Sequence, residues 1–179
     1  MGGRWLHAGH RSRTGPRPSL VIRLARANDA STISALCQVH ATYERRSFDA
    51  AGHAERLESF LAGPSPRLTV WLATSDGQSI GYAAVTREFS TWRAREYLHL
   101  DCLFVVEPFR SQGVGRRLLL AVHKSAQAAG LDEVQWQTPQ WNEGAIRFYL
   151  RAGALEDKKS RFVLAVKPPS RTLADPRPK

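Results

Sequence analysis

The chain has 179 residues, 42% of them hydrophobic, with five tryptophans, two cysteines and a formal net charge of +10. This length and composition suit one globular domain with a good core. No apolar run is long enough to span a membrane, and the N-terminus lacks the apolar stretch of a signal peptide. Cys37 and Cys102 are read as buried thiols rather than a disulfide, which fits a reducing cytoplasm.

The charge is concentrated at the ends. Residues 1–19 hold four arginines and no acid, and residues 167–179 hold four basic residues and one acid, so the body between them keeps only +3 of the total. Both ends are rich in Gly, Ser or Pro and lack periodicity, and are expected to be flexible basic tails around a body of residues 20–166. A basic tail can touch nucleic acid or an acidic surface. No interleaved aromatics or DNA-reading motif accompany these tails, which argues against a nucleic-acid partner. The six histidines form no metal-ligand spacing, so no metal is expected.

In chain order, Leu20 to Leu24 alternates as a first strand. Asn28-Asp29 can cap a helix with the stripe Ile33, Leu36, Val39 or His40, and Tyr43. A second helix is expected from His53 to Leu61, stopped by Gly63-Pro64. Leu68 to Ala73 and Ile80 to Thr86 read as strands joined by a hairpin turn at Asp76-Gly77. Residues 87–96 read as an irregular aromatic loop. Leu98 to Val106 is an apolar strand, with Leu98, Leu100, Cys102, Phe104 and Val106 on its core face. Tyr97, His99, Asp101, Leu103 and Val105 fall on the other face. Asp101 is thus a carboxylate within an apolar strand, where burial is costly unless it has a function, an arginine partner or backbone N–H donors.

Arg110-Ser111-Gln112-Gly113-Val114-Gly115 follows, and opens a helix expected from Gly113 to Ala129. Strand, glycine turn and helix N-terminus together form a cradle for pyrophosphate. A Walker loop would end Gly-Lys-Ser/Thr, where this chain has Arg116 and Arg117. A dinucleotide fingerprint would need a third glycine and a downstream acid. A strand from Val134 to Thr138 comes next. Asn142 then caps a helix whose face holds Ala145, Ile146, Tyr149 and Ala152, and Gly153 stops it. Leu155 and Phe162 to Val166 are expected to supply a last strand or hairpin.

Two of these segments, Arg110-x-x-Gly113-x-Gly115 and Asn142-x-x-Ala145-x-x-Phe148-Tyr149-x-x-x-Gly153, resemble the GNAT superfamily of N-acetyltransferases. The resemblance is clear over Leu98 to Val166 and compatible over Leu20 to Arg95. It implies a single-domain α/β fold with a mixed central sheet flanked by helices. It also implies acetyl-CoA as co-substrate, held by backbone of Leu103, Phe104 and Val105, by Arg110, Ser111, Gln112, Gly113, Val114, Gly115 and Arg116, and by Asn142 and Phe148. In relatives of the diamine and polyamine branch, a glutamate at the place of Asp101 is the candidate base, acting directly or through water; the shorter Asp here favours the water relay. The family's tyrosine, here Tyr149, sits beside the thioester sulfur as proton donor; its alternative role is to fill the core.

A small-molecule amine is the implied acceptor. Trp92, Glu88 and Trp141 are its candidate contacts, with Phe89, Tyr43, Glu96 and Asp49 as further candidates. A polyamine, an amino acid or an amino-bearing antibiotic all fit. Two other functions stay open: a non-catalytic acyl-CoA-binding module, and a nucleic-acid-associated factor acting through the tails. Dimerisation is compatible with the resemblance and does not follow from the residues.

Overall fold

The computed structural model describes residues 19–62, 67–164 and 166. Apart from Ser19, the tails expected at 1–19 and 167–179 lie outside the described residues, as does the helix stop expected at Gly63-Pro64. The chain divides into two compact units, Met1–Pro139 and Gln140–Lys179.

The first unit runs β1 (Leu20–Leu24), α1 (Ala30–Tyr43), α2 (His53–Leu61), β2 (Thr69–Ser75), β3 (Gln78–Ser90), β4 (Arg95–Val105), α3 (Val114–Ala128) and β5 (Val134–Trp136). The strands lie in one five-stranded sheet in the order β1-β2-β3-β4-β5. Neighbours are antiparallel from β1 to β4, and β5 joins β4 in parallel, which makes the sheet mixed. Asp76 and Gly77, both at positive φ, turn β2 into β3. Asp29 stands at the N-cap of α1, but its side chain makes no capping hydrogen bond. Its carboxylate instead binds the Arg23 guanidinium at 2.7 Å and the Arg26 N–H at 2.8 Å, tying β1 to the start of the helix. The Arg23 contact holds the Asp29 carboxyl down at about 2.

Alternation along the strands sends side chains to two cores. On one face Trp71, Ala73, Ala83 and Val85 pack with Val114, Leu118, Val122 and Ala126 of α3. On the other, Val70, Leu72, Tyr82 and Ala84 pack with Ala30, Ile33 and Leu36 of α1 and Leu61 of α2.

β4 departs from the expected single core face. Leu98 and Leu100 belong to the α3 core, whereas Cys102 and Phe104 belong to the α1 core, and Leu103 and Val105 return to α3. The parity changes because Ala84 pairs with Cys102 while Val85 pairs with Leu100, leaving Asp101 as the extra residue of a β-bulge.

Two further expectations are corrected. Residues 87–96 are not an irregular loop. β3 and β4 continue as a long hairpin, turning only at residues 91–94. Arg87 pairs with Glu96 across it, and Arg93 and Arg95 both bind Asp132, so charged pairs support the protruding backbone. The last strand is absent from the described residues: 154–164 take no regular structure. A strand needs a partner ladder as well as an apolar run, and Leu155, Phe162 and Leu164 are instead nine-tenths or more solvent-exposed or close to it.

The second unit contains α4 (Glu143–Arg151). The Asn142 side chain accepts the Ala145 N–H at 3.2 Å, capping the helix as expected. At its other end Ala154 N–H reaches Tyr149 O and Gly153 N–H reaches Leu150 O, the paired bonds of a Schellman stop.

Candidate active site

The bulge at Asp101 is where β4 loses a neighbour. Its ladder with β5 covers three pairs and ends at Leu100 and Trp136. Beyond it, the Val106 N–H donates to Ile80 O at 2.9 Å. Because polar backbone groups alternate along a strand, Phe104 also directs its N–H and C=O toward β3. Leu103 and Val105 direct theirs to the opposite, open edge. Of the three residues expected to offer backbone, Leu103 and Val105 face the edge where a peptide-like ligand would pair, and Val105 O there accepts from Arg110 Nε at 2.8 Å. Gly81 lets β3 lie close here, since a Cβ on it would stand 2.5 Å from Phe104 O.

After β4 a short 3-10 turn, Glu107–Phe109, leads into the glycine loop. Ser111 at φ +60° and Gly113 at φ +82° alternate with neighbours at negative φ, and α3 begins at Val114. The Gln112 side chain folds back to donate to Pro108 O at 2.8 Å. Gly113 is the N-cap and offers no side-chain acceptor, and no acidic residue lies in the first turn. The first N–H groups of α3 at Val114, Gly115 and Arg116 therefore meet no local carboxylate, and the helix dipole adds to their positive field. A Cβ on Gly113 would meet nothing within 4 Å, so the glycine serves the left-handed conformation and the space above it is open. Arg117 turns elsewhere, donating to Leu20 O.

On the α1 side of the bulge lies a polar cluster that the sequence did not single out. Tyr82, 1% exposed, has its hydroxyl 3.0 Å from His40 Nδ1, and Cys37 Sγ donates to it at 3.4 Å. His40 stacks on Phe104 at 4.7 Å and reaches Glu44 with its other nitrogen at 3.5 Å. Burial pushes the His40 imidazole below its ordinary value, against the pull of Glu44 and Asp101. Burial, helped by the Asp101 charge, pushes both thiols up. Neutral thiols are poor nucleophiles. The signal for this cluster was only a histidine on a helix stripe and a tyrosine in an apolar strand, which look like core positions.

Asp101 itself is exposed, contrary to the buried setting expected for it. Among the described residues it forms no ion pair, and the Cys102 thiol donates to its Oδ2 at 3.5 Å. The carboxylate therefore stands in solvent reach at the point where the sheet opens.

Other expected residues fall elsewhere. Glu88 lies in the outer half of the β3–β4 hairpin and accepts from Thr86 at 3.0 Å. Trp92 stands at the tip of that hairpin, 98% exposed. Trp141, Asn142, Phe148 and Tyr149 belong to the second unit. There the Phe148 and Tyr149 rings meet edge to face at 5.1 Å, and neither is buried. A cavity of about 410 Å³ between β1 and α3, lined by Trp71, Arg117 and Lys124, shares no residue with this site. Among the described residues, no group of three or more His, Cys, Asp or Glu could hold a metal. No described helix is long and apolar enough to cross a membrane.

The profile of the Acetyltransferase (GNAT) family matches residues 32–154. The D-amino-acid N-acetyltransferase HPA3 of Saccharomyces cerevisiae is 31% identical over 97 residues, which span 52% of this chain and 60% of that protein. The thialysine N-epsilon-acetyltransferase of Bos taurus is 26% identical over 143 residues, 75% of this chain and 84% of that protein. Among solved structures, the aminoglycoside N-acetyltransferase AAC(6')-Iy in complex with CoA superposes with a TM-score of 0.72 at 21% identity, covering 84% of this chain and 98% of that one.

Proposed function

The chain belongs to the Acetyltransferase (GNAT) family, and from that premise we propose that it transfers the acetyl group of acetyl-CoA directly to a primary amine of a small molecule. The observation that carries the proposal is the sequence of features along β4. A bulged carboxylate comes first, then two residues whose backbone faces away from β3, then a left-handed glycine loop against a helix N-terminus with no side-chain cap. Leu103 and Val105 would pair with the amide-bearing arm of acetyl-CoA, as an added strand does. The loop from Arg110 to Gly115 and the first turn at Arg116 would hold its diphosphate. Bound there, acetyl-CoA supplies an activated thioester.

An amine acceptor gives Asp101 its task. An alkyl ammonium of pKa about 10.4 is neutral in about one molecule per thousand near pH 7.4, a deficit of about 4 kcal/mol. Asp101 would accept the ammonium proton, directly or through water, and its exposure at the open edge leaves room for either. Tyr149 is assigned the complementary role of giving a proton to the departing thiolate. The raised thiols of Cys37 and Cys102 disfavour an acyl-enzyme route. Asn142 holds the start of the Tyr149 helix, where Phe148 is a further cofactor contact. Trp92, Glu88 and Trp141 are assigned to the acceptor.

Relatives named for D-amino acids, thialysine and aminoglycosides support a small amine as acceptor. The test is an amine panel of D- and L-amino acids, thialysine, ornithine, polyamines and aminoglycosides, followed by thiol release from acetyl-CoA. Turnover on one class identifies the acceptor. Tight acetyl-CoA binding with no turnover on any member would instead establish a non-catalytic acyl-CoA-binding module.

A further inference from the structure

The open edge of β4 is already engaged. Arg110 Nε donates to Val105 O at 2.8 Å, one of the backbone acceptors that face away from β3. The guanidinium is fixed there by two rings, with its central carbon 4.3 Å from the centroid of Tyr43 and 5.5 Å from that of Phe104. The arginine that opens the glycine loop thus folds back onto its own strand and onto α1. A charge-assisted bond to a carbonyl and a cation over an aromatic face are each modest, but they act together on one planar group.

This placement creates a competition. An amide-bearing arm laid along Leu103 and Val105 needs the acceptor that Arg110 holds, and the space its side chain fills. A donor that carries a diphosphate offers the displaced guanidinium a bidentate partner in exchange. A donor that ends at the pantetheine offers none.

We propose that Arg110 is a specificity-determining residue for the acyl donor, guarding the Val105 carbonyl so that thioesters of CoA are admitted and thioesters of bare pantetheine are excluded. The inference rests on the proposed pairing of the donor's arm with β4. Arg110 makes that pairing conditional on the distant, unreactive end of the donor. Tyr43, outside the glycine loop, becomes part of donor selection because it stacks the guanidinium in the guarding position.

The two donors separate this role from simple phosphate binding. Calorimetry is run with acetyl-CoA and with S-acetylpantetheine on the wild-type chain, Arg110→Met and Tyr43→Leu. Methionine keeps an apolar stem against the rings and removes the charge. The expected result is a crossing of signs. Arg110→Met weakens acetyl-CoA by about tenfold or more and tightens S-acetylpantetheine by about fivefold, as removal of a competing closed state requires. Tyr43→Leu loosens the guarding position but keeps the guanidinium for the diphosphate, so it tightens both donors by a similar factor, up to about fivefold.

Loss of both ligands in Arg110→Met, or no gain for S-acetylpantetheine in either variant, would overturn the proposal. Thermal melts accompany each variant, and Tyr43→Leu decides alone if Arg110→Met does not fold. Failure of the wild-type chain to bind acetyl-CoA would overturn the arm-pairing itself, and this inference with it. Normal acetyl-CoA binding without the crossing overturns only the donor selection.

Discussion

Asp101 occupies the residue a β-bulge adds, so its side chain escapes both cores and reaches solvent beside a buried polar cluster. If it accepts the acceptor's proton, Asp101→Asn lowers turnover by about 10²-fold near neutral pH, within the range for general bases. The loss should shrink at high pH, where the amine deprotonates unaided. A loss of equal size across the pH profile would mark Asp101 as a positioning residue instead. Tyr149→Phe tests the other half of the proton traffic. The variant keeps the ring that meets Phe148, so the melting temperature should hardly move. Turnover should fall by about 10²-fold while acetyl-CoA affinity stays near normal, because the hydroxyl matters only as charge develops on sulfur. Full activity in a well-folded Tyr149→Phe chain would leave the proton to water or to His99. The sequence singled out Tyr149 by its fixed place in a spaced motif and Asp101 as a carboxylate within an apolar strand. The exposure of Asp101 was not legible, since a bulge leaves no mark in an otherwise alternating apolar strand. His40 and Tyr82 were missed for a related reason: a polar group satisfied inside a core has the same periodicity as the apolar residues around it.

Elements carry the proposed phosphate cradle, and for their placement strong local signals were enough. Two glycines two apart after an apolar strand and before an amphipathic helix fixed the loop. α3 follows with Val114, Leu118, Val122 and Ala126 buried at successive helical turns. The structure changes the reason for Gly113. A side chain there would have room, but φ +82° is strongly unfavourable for a β-branched residue. Gly113→Val should therefore shift the loop out of its left-handed turn, leave the buried stripe of α3 packed, and weaken acetyl-CoA by about tenfold or more, the scale of a lost anion site. Unchanged calorimetric affinity in a folded Gly113→Val chain would remove the cradle from the proposal. Less was legible where an element depends on pairing rather than on its own composition. The β3–β4 hairpin continues through residues 87–90 and 95–96 by its own backbone ladder, and Asp132, from beyond α3, pairs with Arg93 and Arg95 near its tip. The apolar run near Phe162 has the composition of a strand, but among the described residues it has no ladder.

At the scale of the whole molecule, the sheet of the first unit separates a largely apolar α3 core from an α1 core with a polar centre, and that asymmetry has a consequence for stability. His40 lies in the α1 core between Tyr82, Phe104 and Glu44, with Asp101 and Arg110 also acting on its charge. Burial outweighs the two carboxylates and depresses its folded-state value. The unfolded chain therefore takes up a proton at a higher pH than the folded one. By linkage, the contribution of neutral His40 is fully present above about pH 6.5 and is lost progressively as the pH falls below it. His53 is depressed in the same direction by burial and by Arg56, so among the described residues acid sensitivity in this window has two histidine sources. Asp29, held down at about 2, loses its contribution only at lower pH, as the solution passes from 3.8 toward that value. Denaturant midpoints measured at pH 7.5 and pH 5.5 for the wild-type chain and for His40→Gln separate these terms. Glutamine can still reach the Tyr82 hydroxyl but cannot titrate, so His40→Gln should lose less stability on acidification than the wild type, with His53 accounting for what remains. Equal losses in the two chains would place the acid sensitivity outside the α1 core and would mean that His40 titrates in the folded state much as it does in the unfolded one.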